Sequence, residues 1–262
     1  MLHLGSGTVC VHAVAMHRPE VGAALLLGGH GAGKTLVGVA LALRGWHWLA
    51  GDVTLLDVAA EGGAAVRGGT TAILGRRSAI RRWFPELTLP EGPDTVDLHG
   101  QGGLPSSLAT ITPVRVPVAA AVLVDVDGDP LATGRTLQPV DRHTAATVWL
   151  RASGHLLDRI LDDGEQPLRL LEDGPAQRQR LHYVHALARS VGMHAARGTP
   201  QGIAARIEQL ITDRRQGDRH DQADESNGAG AGFRRHPGSA GPQPGRRHGD
   251  RGAARPARRE HP

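Results

Sequence analysis

The sequence predicts a strand-rich α/β domain over residues 1–212 and a basic Gly/Pro/Arg-rich tail over 213–262 that does not fold. Three observations carry this. Val21–Leu27 is a continuously apolar run that passes through a glycine-rich segment into a helix-like pattern. Ala119–Val126 is a second buried run, closed by the turn signal Asp127-Gly128-Asp129-Pro130. Residues 213–262 contain no Leu, Ile, Val or Met, so they bury too little surface to offset the entropy of ordering and are expected to be disordered.

The elements follow in order. Thr8–Met16 reads as a strand, and Arg18-Pro19 supplies the turn into the strand Val21–Leu27. Thr35–Arg44 reads as a helix, with Gly45 where a helix C-terminus favours a left-handed residue. Trp46–Ala50 and Val53–Val58 read as short strands on either side of Gly51-Asp52, and alternation places Trp46 and Trp48 on one face, in the core. Between Glu61 and Pro117 glycine and proline are frequent and only Arg76–Phe84 has a helical pattern. Ala145–Leu161 and Ala176–Val191 read as amphipathic helices, and Thr199–Ile211 as a last helix with Thr199 as N-cap and Pro200 in the first turn. No internal repeat is present.

Charge narrows the function classes. The tail carries eleven arginines against seven acids, whereas residues 1–212 hold 19 basic and 19 acidic residues. The neutral body offers no broad electrostatic footprint for specific nucleic-acid binding. Cys10 is the single cysteine, so no disulfide framework exists. No run approaches eighteen apolar residues and no signal-peptide pattern opens the chain, so neither a membrane span nor secretion is expected and the setting is read as cytoplasmic.

Of the 30 basic residues, 29 are arginine and one is lysine, Lys34. It stands in Gly28-Gly29-His30-Gly31-Ala32-Gly33-Lys34-Thr35, which fits G-x-x-x-x-G-K-[ST], the phosphate-binding P-loop. Converging backbone N–H groups must approach phosphate oxygens closely, so side chains are excluded from the loop and a helix N-terminus follows it. In this motif the lysine ammonium reaches the β- and γ-phosphates of ATP and the Thr35 hydroxyl ligates Mg2+. The variable position His30 faces the nucleotide or the acceptor. A GTPase reading fails, because an Asn-Lys-x-Asp segment needs a second lysine, and no Leu-Ser-Gly-Gly-Gln segment marks a transporter ATPase.

The succession Val11-His12-Ala13, Val21–Leu27, Gly28–Thr35, Leu41-Ala42-Leu43-Arg44-Gly45 and Leu49-Ala50-Gly51-Asp52 resembles the catalytic core of HPr kinase/phosphorylase and its relatives. The resemblance covers residues 8–58, about a fifth of the chain. It implies an α/β P-loop domain of the HPr kinase/phosphoenolpyruvate carboxykinase-like type. It further implies Mg2+-dependent transfer of the γ-phosphoryl group of ATP to a hydroxyl on a peptide, protein or small molecule, and a tendency to form homo-oligomers. By the same resemblance Asp52 is the metal-binding or base-like carboxylate and His12 stands close to the same site, which makes His12 and Asp52 the candidate catalytic residues and Thr35 and Asp52 the candidate metal ligands. The chain departs from the family where an acidic pair is expected, because Gly51 precedes Asp52, and it has no match to the family's later Glu-x-Arg-Gly-x-Gly segment.

Two alternatives stay open beside the kinase: a nucleotide-binding regulatory module that has lost transfer, favoured by Gly51, and a shikimate- or adenylate-kinase-like enzyme acting on a small molecule, whose Arg-rich lid has 76–82 as its candidate. Asp125 follows an apolar strand as a magnesium-holding acid does, but the turn signal at Asp127-Gly128 favours a hairpin with its acids in water. The remaining histidines show no metal-site spacing, and Arg76, Arg77, Arg81 and Arg82 read as a solvated face.

Overall fold

Continuously apolar strands demand cover on both sheet faces, and the computed structural model supplies it with helices on each side of a nine-stranded mixed sheet. The structure describes residues 7–60, 62–101, 104–112, 114–127, 136–161 and 172–228. The chain divides into two units, Met1–Asp218 and Arg219–Pro262.

The first half builds the sheet around one βα unit. Strands β1 (Thr8–His12) and β2 (Val14–Arg18) are separated by Ala13 alone, where one continuous strand was expected. That break lets β1 pair with β5 (Val53–Val58) while β2 pairs with β3 (Gly22–Leu27) and β4 (His47–Ala50). Helix α1 (Lys34–Ala42) starts directly from the 28–33 loop, and Gly45 takes a left-handed φ of 85° just after it.

The weak stretch 61–117 holds more order than its sequence suggests: β6 (Ala64–Gly69), β7 (Leu74–Arg76), α2 (Arg77–Trp83), β8 (Thr95–Asp97) and α3 (Ser106–Ala109). Strands of three to six residues built from Ala, Gly and Arg give no period to detect.

Strand β9 (Val116–Val126) lies at the middle of the sheet, parallel to β3 on one side and to β11 (Met193–Gly198) on the other. The next described strand, β10 (Thr136–Pro139), pairs with β11. Residues 128–130 of the expected turn lie outside the described residues. Helices α4 (Arg142–Leu161) and α5 (Gly174–Ser190) cover one sheet face through Ala145, Trp149, Val184 and Leu187. Asp173 caps α5 by accepting a 2.8 Å hydrogen bond from the Ala176 amide.

The other face is covered by α1 and α6 (Pro200–Gly228), with Ile203, Ala204, Ile207 and Ile211 turned inward. Trp46 and Trp48 are fully buried in this same layer, as their alternation predicted. Helix α6 runs past the expected end at Ile211 into the segment assigned to the tail. Residues 212–228 include helix-tolerant Arg, Gln, Glu and Ala and no proline, so nothing stops the helix there. The expected disorder of 229–262 concerns residues outside those described. Glu208 on α6 ties its layer together, accepting from Arg44 Nε at 2.6 Å, Trp46 Nε1 at 3.1 Å and Arg18 at 3.2 Å. Arg44 of the Arg-Gly pair after α1 is thus a structural anchor.

His17 on β2 is buried beside His47, and its Nε2 finds no partner among the described residues. Burial first, and then the neighbouring His47, lower its pKa below the usual 6.5. The unfolded chain therefore takes up a proton that the folded chain resists as the pH falls below 6.5, so stability falls in that direction. Denaturant midpoints at pH 7.5 and pH 5.5 should differ less in His17→Gln than in the parent chain; an equal drop in both would remove His17 as a cause.

Candidate functional site

Strand register brings the chemistry-bearing residues to one end of the sheet. Val14 pairs with Leu26, Ala15 with Ala50, and Leu27 with Leu123. His12, the loop beginning at Gly28, the Gly51-Asp52 turn and Asp125 therefore all leave the sheet at the same edge.

The 28–35 loop is shaped by its glycines. Gly28, Gly31 and Gly33 have φ of 147°, 81° and 90°. A Cβ at Gly33 would strike the Val126 side chain, so this position also needs glycine for space. The loop is tied to β9 by the Val126 amide, which donates to the Ala32 carbonyl at 3.0 Å. Nothing lies within 4 Å of where side chains at Gly29 and Gly31 would begin. The amides of Gly29, His30, Gly31 and Gly33 make no hydrogen bond among the described residues, and His30 is exposed beside them. Successive unpaired amides at a helix N-terminus form a concave cradle for an anion.

Lys34 is 7% exposed, with its ammonium folded onto the loop, donating to the carbonyls of Gly28 at 3.0 Å and Gly29 at 3.2 Å. The Thr35 hydroxyl donates to the Leu74 carbonyl at 3.0 Å. Because that bond uses the proton, the oxygen retains lone pairs suited to a hard cation.

On the other side of the loop, His12 Nε2 lies 3.0 Å from Asp52 Oδ1, as the expected nearness of the two requires. An ionised carboxylate only accepts, so with Asp52 charged the Nε2 atom carries the hydrogen. His12 is 5% exposed and Asp52 40%, so the pair runs from the interior to the surface. The turn is clamped by Thr70, whose hydroxyl accepts from the amides of Asp52 and Val53 at 3.0 and 3.1 Å. Gly51 is buried against the Ala72 carbonyl, which occupies the place of a side chain. The acid expected there by resemblance is excluded by backbone.

His155 and Arg197 at this edge had no signal in the sequence. His155 of α4 stacks face to face on His12, with ring centres 3.8 Å apart and planes 10° from parallel. Asp125 near the end of β9 faces water, as the sequence reading favoured, and Arg197 of β11 lies 3.7 and 3.8 Å from the carboxylates of Asp125 and Asp127. His155 sits mid-helix without a local motif, and Arg197 belongs to a strand that the sequence did not reveal. Arg76, Arg77, Arg81 and Arg82 do not form one solvated face: Arg77 is buried with Nε on the Pro93 carbonyl at 3.1 Å, and Arg81 pairs with Glu91 at 2.7 Å.

Among the described residues no cluster of three or more His, Cys, Asp or Glu side chains could hold a metal ion without outside ligands. No described helix is long and apolar enough to cross a membrane.

No family model matches the chain, and no curated protein sequence matches it. Among solved structures it is similar to the HPr(Ser) kinase/phosphatase from Coxiella burnetii, at 12% sequence identity over 80% of this chain and 98% of that chain, with a TM-score of 0.38.

Proposed function

We propose that the chain is an ATP-dependent phosphotransferase acting on a hydroxyl group, with Gly28–Thr35 as its P-loop. The observation that carries this is the open glycine cradle, with unpaired amides and the buried Lys34 ammonium, at the same sheet edge as the His12–Asp52 pair. Phosphoryl transfer asks the protein mainly for positioning and charge neutralisation.

In this reading the loop amides orient the β- and γ-phosphates, and Lys34 shifts its hydrogen bonds from the loop carbonyls to phosphate oxygens. Thr35 would supply a neutral oxygen for Mg2+, and Asp52 and Asp125 are the candidate carboxylates at the same end of the sheet. Bound magnesium would neutralise charge on the phosphates. Asp52 receives the proton of the acceptor hydroxyl, and His12 holds Asp52 in place through Nε2–H. The acceptor is a hydroxyl on a peptide, a protein or a small molecule.

The test is transfer from labelled ATP, with magnesium, to hydroxyl-bearing peptides and small molecules. Asp52→Asn should lower transfer by roughly 100- to 10,000-fold and leave ATP affinity within a few-fold. The closed position at Gly51 favours a second reading, a nucleotide-binding module without transfer. ATP binding with no labelled product from the parent chain on any acceptor would favour that module.

A further inference from the structure

We propose that Arg197 engages the terminal phosphate of the nucleotide held at the 28–35 loop. This rests on the nucleotide-binding reading of that loop.

Position comes from register. Leu27 of β3, Leu123 of β9 and Ala195 of β11 stand in one row of the sheet, and two residues further out along β9 and β11 Asp125 pairs with Arg197. Two backbone bonds fix this edge. The Val126 amide reaches the Ala32 carbonyl of the loop at 3.0 Å, and the Asp127 amide reaches the Gly198 carbonyl at 2.9 Å. The residue after Arg197 is thus joined through β9 to the loop itself.

The state of the side chain fits a ligand-facing role. Arg197 is 64% exposed, and its 3.7 and 3.8 Å separations from Asp125 and Asp127 are too long for hydrogen bonds. The two carboxylates hold the guanidinium at the crest by charge without using its donors. Among the described residues, Arg18 and Arg44 pair with Glu208, Arg67 and Arg115 with Asp57, and Arg180 with Glu172. Lys34 is a single compact charge, whereas a terminal phosphate has three oxygens and suits the planar fork of arginine.

The experiment is isothermal titration of the full chain with ADP and with the β,γ-imido analogue of ATP, each with magnesium. Arg197→Ala should leave ADP affinity within two-fold and weaken the analogue by about 10- to 100-fold. Arg197→Lys should recover part of that loss, since it restores the charge without the fork. Equal weakening of both nucleotides, or an unchanged analogue affinity, would overturn the assignment; the first would mark Arg197 as a structural counter-charge for the two aspartates. Failure of the parent chain to bind either nucleotide would overturn the nucleotide reading, and this proposal with it.

Discussion

Lys34→Ala should remove ATP binding: a weakening of at least about 100-fold is expected, because a charge-assisted contact to phosphate is lost in a site that holds no second lysine. Lys34 as a residue is 7% exposed and its ammonium is bonded to the Gly28 and Gly29 carbonyls, so much of its hydration is already replaced before any ligand arrives. A phosphate that takes over those hydrogen bonds meets an ammonium already held against the loop, which makes the lysine effective. The variant also leaves both carbonyls without their donor, and the loop should loosen. Its melting temperature should drop by a few degrees, consistent with about 1 kcal/mol for a lost hydrogen bond in a domain of this size. Lys34→Arg should not rescue binding, since the broader guanidinium does not fit beneath a loop in which Gly33 already packs against Val126. Titration with ATP and magnesium decides the matter, and an unchanged affinity in Lys34→Ala would end the phosphate-loop reading.

Much of the fold was readable from runs that bury side chains at a clear period. Val21–Leu27, the helix after the loop and the strand ending at Val126 were found because continuous apolar stretches leave few alternatives. The strand Met193–Gly198 escaped notice because its Met-His-Ala-Ala-Arg-Gly sequence is ordinary in composition and is made a strand by β9 and β10 on its two sides. Tertiary pairing, not propensity, decides such a segment. Ala13 shows the same limit, since only the partner strands reveal that the chain bends there. At the site, Lys34 and its loop were legible because the cradle geometry demands glycine at fixed intervals. His12 and Asp52 are 40 residues apart, and the resemblance alone linked them. His155 and Arg197 reach the same edge from elements with no motif, and no spacing rule could place them there.

Placing an acid at position 51 should unfold the site. A Cβ on Gly51 would overlap the Ala72 carbonyl oxygen and lie 2.9 Å from its carbonyl carbon, so even the first side-chain atom has no room. The obstructing segment cannot step aside cheaply. The Gly51 amide donates to the Thr70 carbonyl at 3.0 Å, the Thr70 amide to Val53 at 2.9 Å, and the Ile73 amide to Asp97 Oδ1 at 2.8 Å. Moving Ala72 would strain all of these, together with the Thr70 hydroxyl that clamps the amides of Asp52 and Val53. Gly51→Asp is therefore expected to cost about 3 kcal/mol or more, at the upper end of overpacking penalties. Gly51→Ala should cost nearly as much, because the conflict lies at Cβ and not in the carboxylate. Guanidinium unfolding of the two variants beside the parent chain makes the comparison, and a Gly51→Ala variant of parent stability would show that the 70–73 segment yields. If both variants are destabilised alike, the position was closed by backbone packing. Under the kinase proposal, Asp125, one residue before the end of β9, is then the candidate second carboxylate.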